Sequence, residues 1–478
     1  MTDRRTPGLC RSARNCLLVV LALAVFRPFP ARAQAPTASS STATVEERLA
    51  RLEKLLAETR AELAAAKAAA PAATEDARLK EIEQKIDVLT KEIEALRIGE
   101  AASPANAPEH YGLGPAASKV YAKKGVSIGG YGNVLYQNFS SREQNGEPSG
   151  AGDTIDLQRV VLYLGYKFSD QFVFNSEVEY EHAVTASDKE GEVEVEFAYL
   201  DWTKSRAFNL RAGLVLIPVG ILNEQHEPTT FFGARRNNVE ELILPSTWRE
   251  LGIGTYGSSG ILTWRAYLVN GLNASGYTAD AGIREGRQEG SLAKAQNFAF
   301  TARLDATPLP GLLVGASVFT GDSAQGLVDS SGQPFGALTT TWDVHAEYRF
   351  RGLTLRGLYA GVSISDAAQV NQANGYEGDE SVGSRLNGWY LVGGFDVLSL
   401  VSGARMSLSP YVRYEQYDTQ ASVPAGYLRN PANDVNILTT GVAFKPIDQI
   451  VVTAEWQKIG NAAKTGTNQW NLGLGWIF

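Results

Sequence analysis

Apolar and polar side chains alternate at every second position along most of the chain from Val126 onward. This period is typical of β-strands that separate two different environments. The C-terminal stretch "NQWNLGLGWIF" shows it clearly, since Gln, Asn and Gly share one face with Ile477 and the large apolar residues share the other. Such a strand covers a core in a soluble protein and faces lipid in an outer-membrane barrel. One strand therefore leaves both interpretations open. The apolar face carries Trp470, Leu472, Leu474, Trp476 and Phe478.

The alternation predicts sixteen strands. An even number is typical of outer-membrane barrels, and each segment is near the length that a tilted strand needs to cross lipid. The predicted strands span residues 126–138, 154–168, 172–182, 192–203, 208–216, 249–257, 262–270, 297–307, 312–319, 339–350, 353–364, 386–397, 405–417, 435–445, 449–458 and 468–478.

The connections between these strands sort by length. Short turns at one end of the strands and long loops at the other are typical of outer-membrane barrels and are not expected of a soluble sandwich. We therefore predict an all-β fold, a 16-stranded antiparallel transmembrane β-barrel over residues 125–478, in which the last strand pairs with the first. The short turns are 169–171, 204–207, 307–311, 351–352 and 446–449, and the long loops are 139–153, 183–191, 217–248, 271–296, 320–338, 366–385 and 418–434.

The N-terminal region has the features of an export signal. Basic residues precede the apolar run "CLLVVLALAVF", and "ARAQA" after it fits a small-residue cleavage site following Ala33. This order is typical of a secretory signal peptide. We predict a signal peptide over residues 1–33, a linker over 34–44 and an outer-membrane location for the barrel.

A helical period replaces the strand period over residues 45–98, where apolar residues recur at steps of three and four. Such a seam with Glu and Lys beside it is typical of a coiled coil, and Pro71 interrupts it. We predict a short periplasmic α-helical coiled coil over residues 45–98, followed by a Pro-, Gly- and Ala-rich linker over 99–124. The alternative is an amphipathic helix that lies on its own barrel. The seam consists of Val45, Leu49, Leu52, Leu56, Leu63, Leu79, Ile82, Ile86, Leu89, Ile93 and Leu96.

Composition narrows the possible chemistry. Both cysteines, Cys10 and Cys16, lie in the predicted signal peptide, so the mature chain is predicted to have neither a disulfide nor a thiolate. Removal of residues 1–33 takes away six arginines and Asp3, and the formal charge changes from −8 to −13. An exported acidic chain has little affinity for nucleic acid, so we expect no nucleic-acid partner.

Charged residues recur on the inward face of the predicted strands. Inward charges need water or a partner, and barrels of this size leave a channel, so a water-filled lumen is favoured over a sealed interior of ion pairs. The inward arginines are Arg159, Arg211, Arg265, Arg303, Arg349, Arg356 and Arg413. The inward acidic residues are Glu177, Glu179, Glu181, Glu192, Glu194, Glu196, Asp305, Asp343, Glu347, Glu415 and Glu455.

The long loop 217–248 is the best candidate for a constriction of this lumen. Its apolar ends are suited to holding it inside the barrel, and Arg235, Arg236, Glu240 and Glu241 supply charge. Facing basic and acidic groups orient polar solutes without binding them tightly. The alternative is a solvated extracellular loop.

Other motifs carry little weight. "GVSIG" and "GIGTYG" match a nucleophile elbow and a dinucleotide fingerprint, but neither joins a buried strand to a helix. His110, His182, His226 and His345 have no metal-ligand spacing, so we expect no cofactor and no catalytic set. A further hypothesis is that the acidic strands around 177–196 bind divalent cations near the extracellular rim.

Four stretches resemble the phosphate-selective porin O and P family of outer-membrane channels: "IDLQRVVLYLGYKFSDQFVFNSEVEYE", "EFAYLDW", "LRAGLVLIPVG" and "ELGIGTYG". The order and spacing of these stretches match the family, and the resemblance covers residues 126–270. The coiled coil also resembles the helical stalks of trimeric porins. The resemblance implies a homotrimeric channel for passive diffusion of small hydrophilic solutes, with a preference for anions, and a terminal aromatic residue as assembly signal. The chain departs from the family pattern at Val160. The family favours two consecutive arginines where this chain has Arg159 and Val160.

Two other functions stay open at this point. A structural tether would link the outer membrane to peptidoglycan through the coiled coil, and a barrel enzyme would need a nucleophile, a base and an orienting group. Because seven inward arginines are spread along the barrel while glutamates cluster on two strands, we expect weak selectivity that favours organic anions, without a tight phosphate site.

Overall fold

The computed structural model describes residues 45–69, 82, 85–86, 112–122 and 124–478. Helix α1 spans Val45–Ala69, which confirms a helix at the start of the region predicted as a coiled coil. The predicted signal peptide, the linker 34–44 and most of the second half of the coiled coil lie outside the described residues. Within the described part of the chain, no helix is both long and apolar enough to cross a membrane.

Sixteen antiparallel strands form one closed barrel in which each strand pairs with its neighbours in sequence. All sixteen predicted strands are therefore confirmed. The strands are β1 Gly125–Glu143, β2 Thr154–Lys167, β3 Phe172–Glu181, β4 Val193–Ser205, β5 Phe208–Leu216, β6 Arg249–Ser259, β7 Leu262–Asn270, β8 Phe298–Leu309, β9 Leu312–Asp322, β10 Leu338–Phe350, β11 Leu353–Ile364, β12 Arg385–Phe395, β13 Ser407–Ser422, β14 Asp434–Ile447, β15 Ile450–Asn461 and β16 Thr467–Ile477.

The barrel closes where β16 pairs with β1. Tyr131 lies opposite Ile477, and the backbone N–H of Phe478 donates to the carbonyl of Gly130 at 2.9 Å. This pairing leaves no open strand edge, which a structure within lipid requires because an unpaired backbone group has no water partner there.

The two faces of the barrel differ as the alternation predicts. On β16, Trp470 is 56% exposed on the outside, whereas Asn471 is fully buried on the inside. The exposed outer residues of other strands are likewise apolar, as at Ile253 and Leu391. Since a lipid-facing surface must be apolar, this outer band is suited to contact with hydrocarbon.

Most connections follow the predicted sorting, with tight turns at one end and long loops at the other. The exceptions are the β12–β13 connection at the turn end, which spans residues 396–406, and the β15–β16 connection at the loop end, which spans only 462–466. Gly352 in one tight turn has a φ of +84°, a conformation that favours glycine. The main deviations lie at the long-loop end, where β1 runs to Glu143 rather than 138 and β13 to Ser422 rather than 417. One long loop also contains a helix, α2, Ala367–Asn374. Strands that extend beyond the lipid keep their pairing in water, so the apolar pattern underestimates their length.

Candidate pore lumen

Both ends of loop 217–248 are fastened to each other and to the barrel wall. The Ile217 N–H donates to the carbonyl of Trp248 at 2.9 Å. The Asn223 side chain bonds both ends, because its Nδ2 donates to the Ile217 carbonyl at 2.6 Å and its Oδ1 accepts from the Trp248 N–H at 2.7 Å. The Trp248 ring is buried against Phe319, with 4.4 Å between ring centroids. The apolar ends therefore hold the loop at the wall, as the sequence predicts.

The middle of the loop crosses the lumen to the opposite wall. The Asn238 N–H donates to Glu415 at 2.7 Å and the Ala234 N–H donates to Glu455 at 3.2 Å. In the other direction, Arg413 donates to the Phe232 carbonyl at 2.9 Å. These contacts join a loop that starts at β5 to strands β13 and β15. The structure thus places the loop inside the barrel and not in extracellular solvent.

Residues 112–122, which the sequence predicts to be linker, also lie inside the barrel, at the short-turn end. The N–H groups of Ala116 and Ala117 donate to the Glu227 carboxylate at 2.9 and 3.0 Å. Asn175 on β3 donates to the Ala117 carbonyl at 3.0 Å. Burial raises the pKa of Glu227 to about 7. Segment 112–122 is therefore part of the lumen filling, and its small residues fit this narrow space.

Three of the four predicted constriction charges have defined partners. Glu240 is buried, and its Oε2 accepts from the N–H groups of Ile221 and Leu222 at 2.6 and 2.7 Å. Glu241 pairs with Arg235 at 3.6 Å. Burial alone would raise the pKa of Glu241, but the nearby arginines lower it below its ordinary value. Glu240 therefore fixes the loop backbone, while Glu241 and Arg235 form a charged pair at a more open position.

The Arg235 side chain is 36% exposed and that of Glu241 29%. Arg236 beside them is half-buried, and its Nη2 is a buried atom for which the described residues offer no hydrogen-bond acceptor. Of the four predicted constriction residues, Arg235, Arg236 and Glu241 are thus the three with partly exposed side chains.

Every predicted inward arginine is paired with a carboxylate, within hydrogen-bond or ion-pair distance. Arg211 donates to Asp201 at 2.8 and 2.9 Å and lies 3.8 Å from the Tyr199 ring centroid. The remaining pairs are Arg159 with Glu179 at 3.3 Å, Arg265 with Glu224 at 2.9 Å and Asp305 at 3.0 Å, Arg303 with Asp305 at 2.8 Å, Arg349 with Glu347 at 2.8 Å, Arg356 with Glu347, and Arg413 with Glu415 at 3.3 Å.

These pairs correct the expectation of a ladder of free basic charges along a water-filled lumen. Five of the seven arginine side chains are at most 5% exposed. Arg159 at 18% and Arg349 at 19% are the more open ones. Loop 217–248 and segment 112–122 cover the barrel wall, so the charged side chains of the wall pair with one another. Much of the described interior therefore consists of ion pairs, the arrangement that the sequence analysis disfavoured.

The acidic strands β3 and β4 form a different part of the wall. Glu194 pairs with Arg249 at 2.5 Å, an arginine outside the predicted set. Glu196 is the extra residue of a β-bulge, since Glu177 pairs with Phe197 and Val178 pairs with Val195. The bulge turns both Glu196 and Phe197 inward, and Glu177, Glu179 and Glu196 are all buried.

Sequence periodicity misses several residues that shape this interior. Glu224 and His226 face wall residues and Glu227 faces segment 112–122, although all three belong to an irregular loop in which no period marks an inward side. Glu192 precedes β4 and is exposed, so it is not part of the inner wall. The only signal for the loop residues is their polarity between two apolar ends.

No family model matches the chain. An uncharacterized protein of Aquifex aeolicus (strain VF5) is 38% identical over 384 residues, which cover 78% of this chain and 85% of that protein. The chain therefore belongs to the same family as this Aquifex protein.

Several solved structures are similar at low identity, each over 74% of this chain. The anion-selective porin from Comamonas acidovorans is 11% identical, with a TM-score of 0.48 and 100% of that chain covered. The outer membrane channel DcaP of Acinetobacter baumannii is 12% identical, with a TM-score of 0.47 and 97% covered. OmpF of Salmonella typhi, in a complex with daunomycin, is 12% identical, with a TM-score of 0.49 and 97% covered. The fold of the present chain is a closed sixteen-stranded antiparallel β-barrel.

Proposed function

We propose that this protein is an outer-membrane channel for passive diffusion of small hydrophilic solutes. One observation carries the proposal: a closed sixteen-stranded barrel has an apolar outer band and a charged inner wall, with a long loop folded into its lumen. An apolar outer surface suits lipid, and ionisable groups inside such a barrel belong to a solute path.

In this proposal, loop 217–248 is the constriction, and solute passage depends on displacement of part of it. The middle of the loop is held to the far wall by several separate hydrogen bonds, such as those of Ala234 and Asn238. Each contributes about 0.5–1.5 kcal/mol, or about 1.5–3 kcal/mol when a charged group takes part, so displacement of the loop requires that several of them break together. Arg235, Arg236 and Glu241 then face the solute.

Selectivity in this channel is weak, with a small preference for organic anions such as carboxylates. The wall arginines are neutralised by their carboxylate partners, so they exert little net field. The Nη2 of Arg236 has no hydrogen-bond acceptor among the described residues, and the guanidinium adds positive charge at the constriction. A single basic group in a wet path favours anions without binding them tightly.

Outside the barrel, we propose that the chain forms a homotrimer with a periplasmic coiled coil. On α1, the seam residues Leu52 and Leu56 are only half-buried, which leaves an apolar stripe for other copies of the helix. Three heptads are too short to be stable alone, so association would supply the missing burial.

Liposome swelling and planar-bilayer recording test the channel. Purified protein should give stepwise conductance, and liposomes containing it should admit small sugars and carboxylates faster than larger ones. Deletion of residues 36–100 should leave the conductance of the barrel intact and weaken the trimer. Intact barrels that give no conductance steps and no swelling would instead identify a structural tether.

A further inference from the structure

Three side chains from three separate elements meet in the lumen between loop 217–248 and the acidic wall. They are Glu177 on β3, Glu196 at the bulge of β4 and His226 on the loop. The His226 Nε2 lies 3.1 Å from Glu177 Oε1 and 3.4 Å from Glu196 Oε2. One ligand atom from each residue falls within 4.8 Å of the others, and all three side chains are buried.

The two carboxylates have oxygen atoms that need a partner. Glu177 Oε2 and Glu196 Oε2 are buried, and neither accepts a hydrogen bond from any residue that the structure describes. Both side chains are at most 1% exposed. A buried carboxylate oxygen without a donor is costly, and a cation or a proton in this space would remove that cost.

The orientation of His226 favours a metal ligand. Its Nδ1 lies 3.0 Å from the Asn223 carbonyl, and only a protonated nitrogen can donate to a carbonyl oxygen. The proton therefore lies on Nδ1, and in the neutral imidazole the Nε2 lone pair points between the two carboxylates. A backbone carbonyl that holds the second ring nitrogen is the usual way in which a protein orients a histidine ligand.

Two of the three ligand separations match a coordination shell. Metal–ligand bonds of about 2.0–2.2 Å place two ligand atoms about 2.8–3.6 Å apart for bond angles between 90° and 110°. The two measured separations, 3.1 and 3.4 Å, fall in this range. We propose that Glu177, Glu196 and His226 bind a divalent transition-metal ion such as Zn²⁺, which fastens loop 217–248 to the barrel wall.

The surrounding charges limit the affinity without excluding the ion. Arg249 Nη1 lies 4.0 Å from Glu196 Oε1, and Arg159 Nη1 lies 3.3 Å from the neighbouring Glu179. These arginines contact other oxygen atoms and not Glu177 Oε2 or Glu196 Oε2, the two without a hydrogen bond. An imidazole nitrogen in the set favours Zn²⁺ over Ca²⁺ and Mg²⁺, which take oxygen ligands.

The experiment uses the full chain without a histidine tag, folded in detergent and stripped of metal with a chelator. Calorimetric titration with Zn²⁺ should show one site per chain, and titration with Ca²⁺ should show at least tenfold weaker binding. The variants His226→Gln and Glu196→Gln should each lower the Zn²⁺ affinity at least tenfold. His182→Gln is the matched control, because His182 pairs with Asp156 outside the cluster, and it should bind Zn²⁺ like the wild type.

Heat-modifiable migration in gels establishes that each variant has a closed barrel. If the variants do not fold, X-ray absorption at the zinc edge of the wild-type protein decides, and it should show one imidazole nitrogen with carboxylate oxygens. Absence of stoichiometric Zn²⁺, or equal affinity in the His226→Gln variant, would overturn the proposal and leave an imidazolium bridging two glutamates. The test does not rest on conductance, so it stands apart from the proposed channel function.

Discussion

The inner wall of the barrel has two contrasting regions. Across β8 and β10, charges alternate in sign: His345 bridges Asp343 at 2.6 Å and Asp305 at 2.9 Å, and Asp305 also pairs with Arg303. Across β3 and β4, carboxylates outnumber cations, and Glu177 and Glu196 keep oxygen atoms for which the described residues supply no hydrogen bond. Both regions are equally buried, so the difference lies in pairing and not in exposure.

The contrast separates structural charges from charges available for function. A buried ion pair is costly to break but contributes little net stability, whereas a buried unpaired carboxylate lowers stability as long as it lacks a partner. The β8–β10 region therefore behaves as a fixed part of the wall. The β3–β4 region keeps two buried carboxylate oxygens for which the described residues supply no hydrogen bond, and a proton or a cationic ligand can satisfy them.

The largest expected effect follows from breaking the paired region. Asp305→Ala leaves Arg265, Arg303 and His345 without a shared partner, and we expect it to lower the free energy of unfolding by about 3–5 kcal/mol. Glu177→Gln is the matched control in the acidic region, since it removes one of several like charges and should change stability by about 1 kcal/mol or less. Chemical unfolding in detergent measures both, and equal losses would contradict the contrast.

The next effect concerns the carboxyl that holds segment 112–122. Because burial raises the pKa of Glu227 from 4.5 to about 7, the folded state keeps this proton between pH 4.5 and 7 while the unfolded state loses it. The stabilisation is complete below pH 4.5 and is lost as the pH rises to 7, by about 1.4 kcal/mol per pH unit and about 3 kcal/mol in all.

Glu227→Gln has no such proton and provides the control. The difference in free energy of unfolding between wild type and variant should fall with rising pH over this window and stay constant above it. A difference that is flat from pH 4 to 8 would show that Glu227 is solvated and that segment 112–122 leaves the lumen in solution.

The smallest effect concerns selectivity. If the paired arginines exert no net field, the anion preference depends on Arg235 and Arg236. The double variant Arg235→Ala, Arg236→Ala should shift the reversal potential across a salt gradient toward cation selectivity. Arg303→Lys, which keeps its charge in the paired region, should leave the potential unchanged. Equal reversal potentials in wild type and double variant would assign control to the acidic region.

The strands and their faces could be predicted because each alternation is local. Trp470 and Asn471 fall on their observed sides without any knowledge of the neighbouring strand. Predicting which charges pair requires the register between neighbouring strands. Asp201, for example, lies directly opposite Arg211. Even the register is insufficient for Arg265 and Arg303, which face each other as like charges.

Glu224 from the loop resolves this like-charge contact, at 2.9 Å from Arg265 and 3.7 Å from Arg303. Such contacts join residues far apart in sequence through irregular backbone, where no period exists. For the same reason, the sequence pattern does not predict that segment 112–122 lies in the lumen or that His226 approaches Glu177. The strand pattern therefore predicts the wall of the barrel but not what fills it.

The most direct test of the account fixes the loop to the wall and asks whether current still passes. A Cβ atom at Gly473 on β16 would lie 3.0 Å from the Cβ of Ala234, within reach of a disulfide, whose Cβ atoms are about 3.8 Å apart. The variant Ala234→Cys, Gly473→Cys should give a smaller single-channel conductance when oxidised and regain the wild-type value with reductant, which should not affect the wild type. Equal conductance in both redox states would contradict the claim that loop 217–248 controls passage.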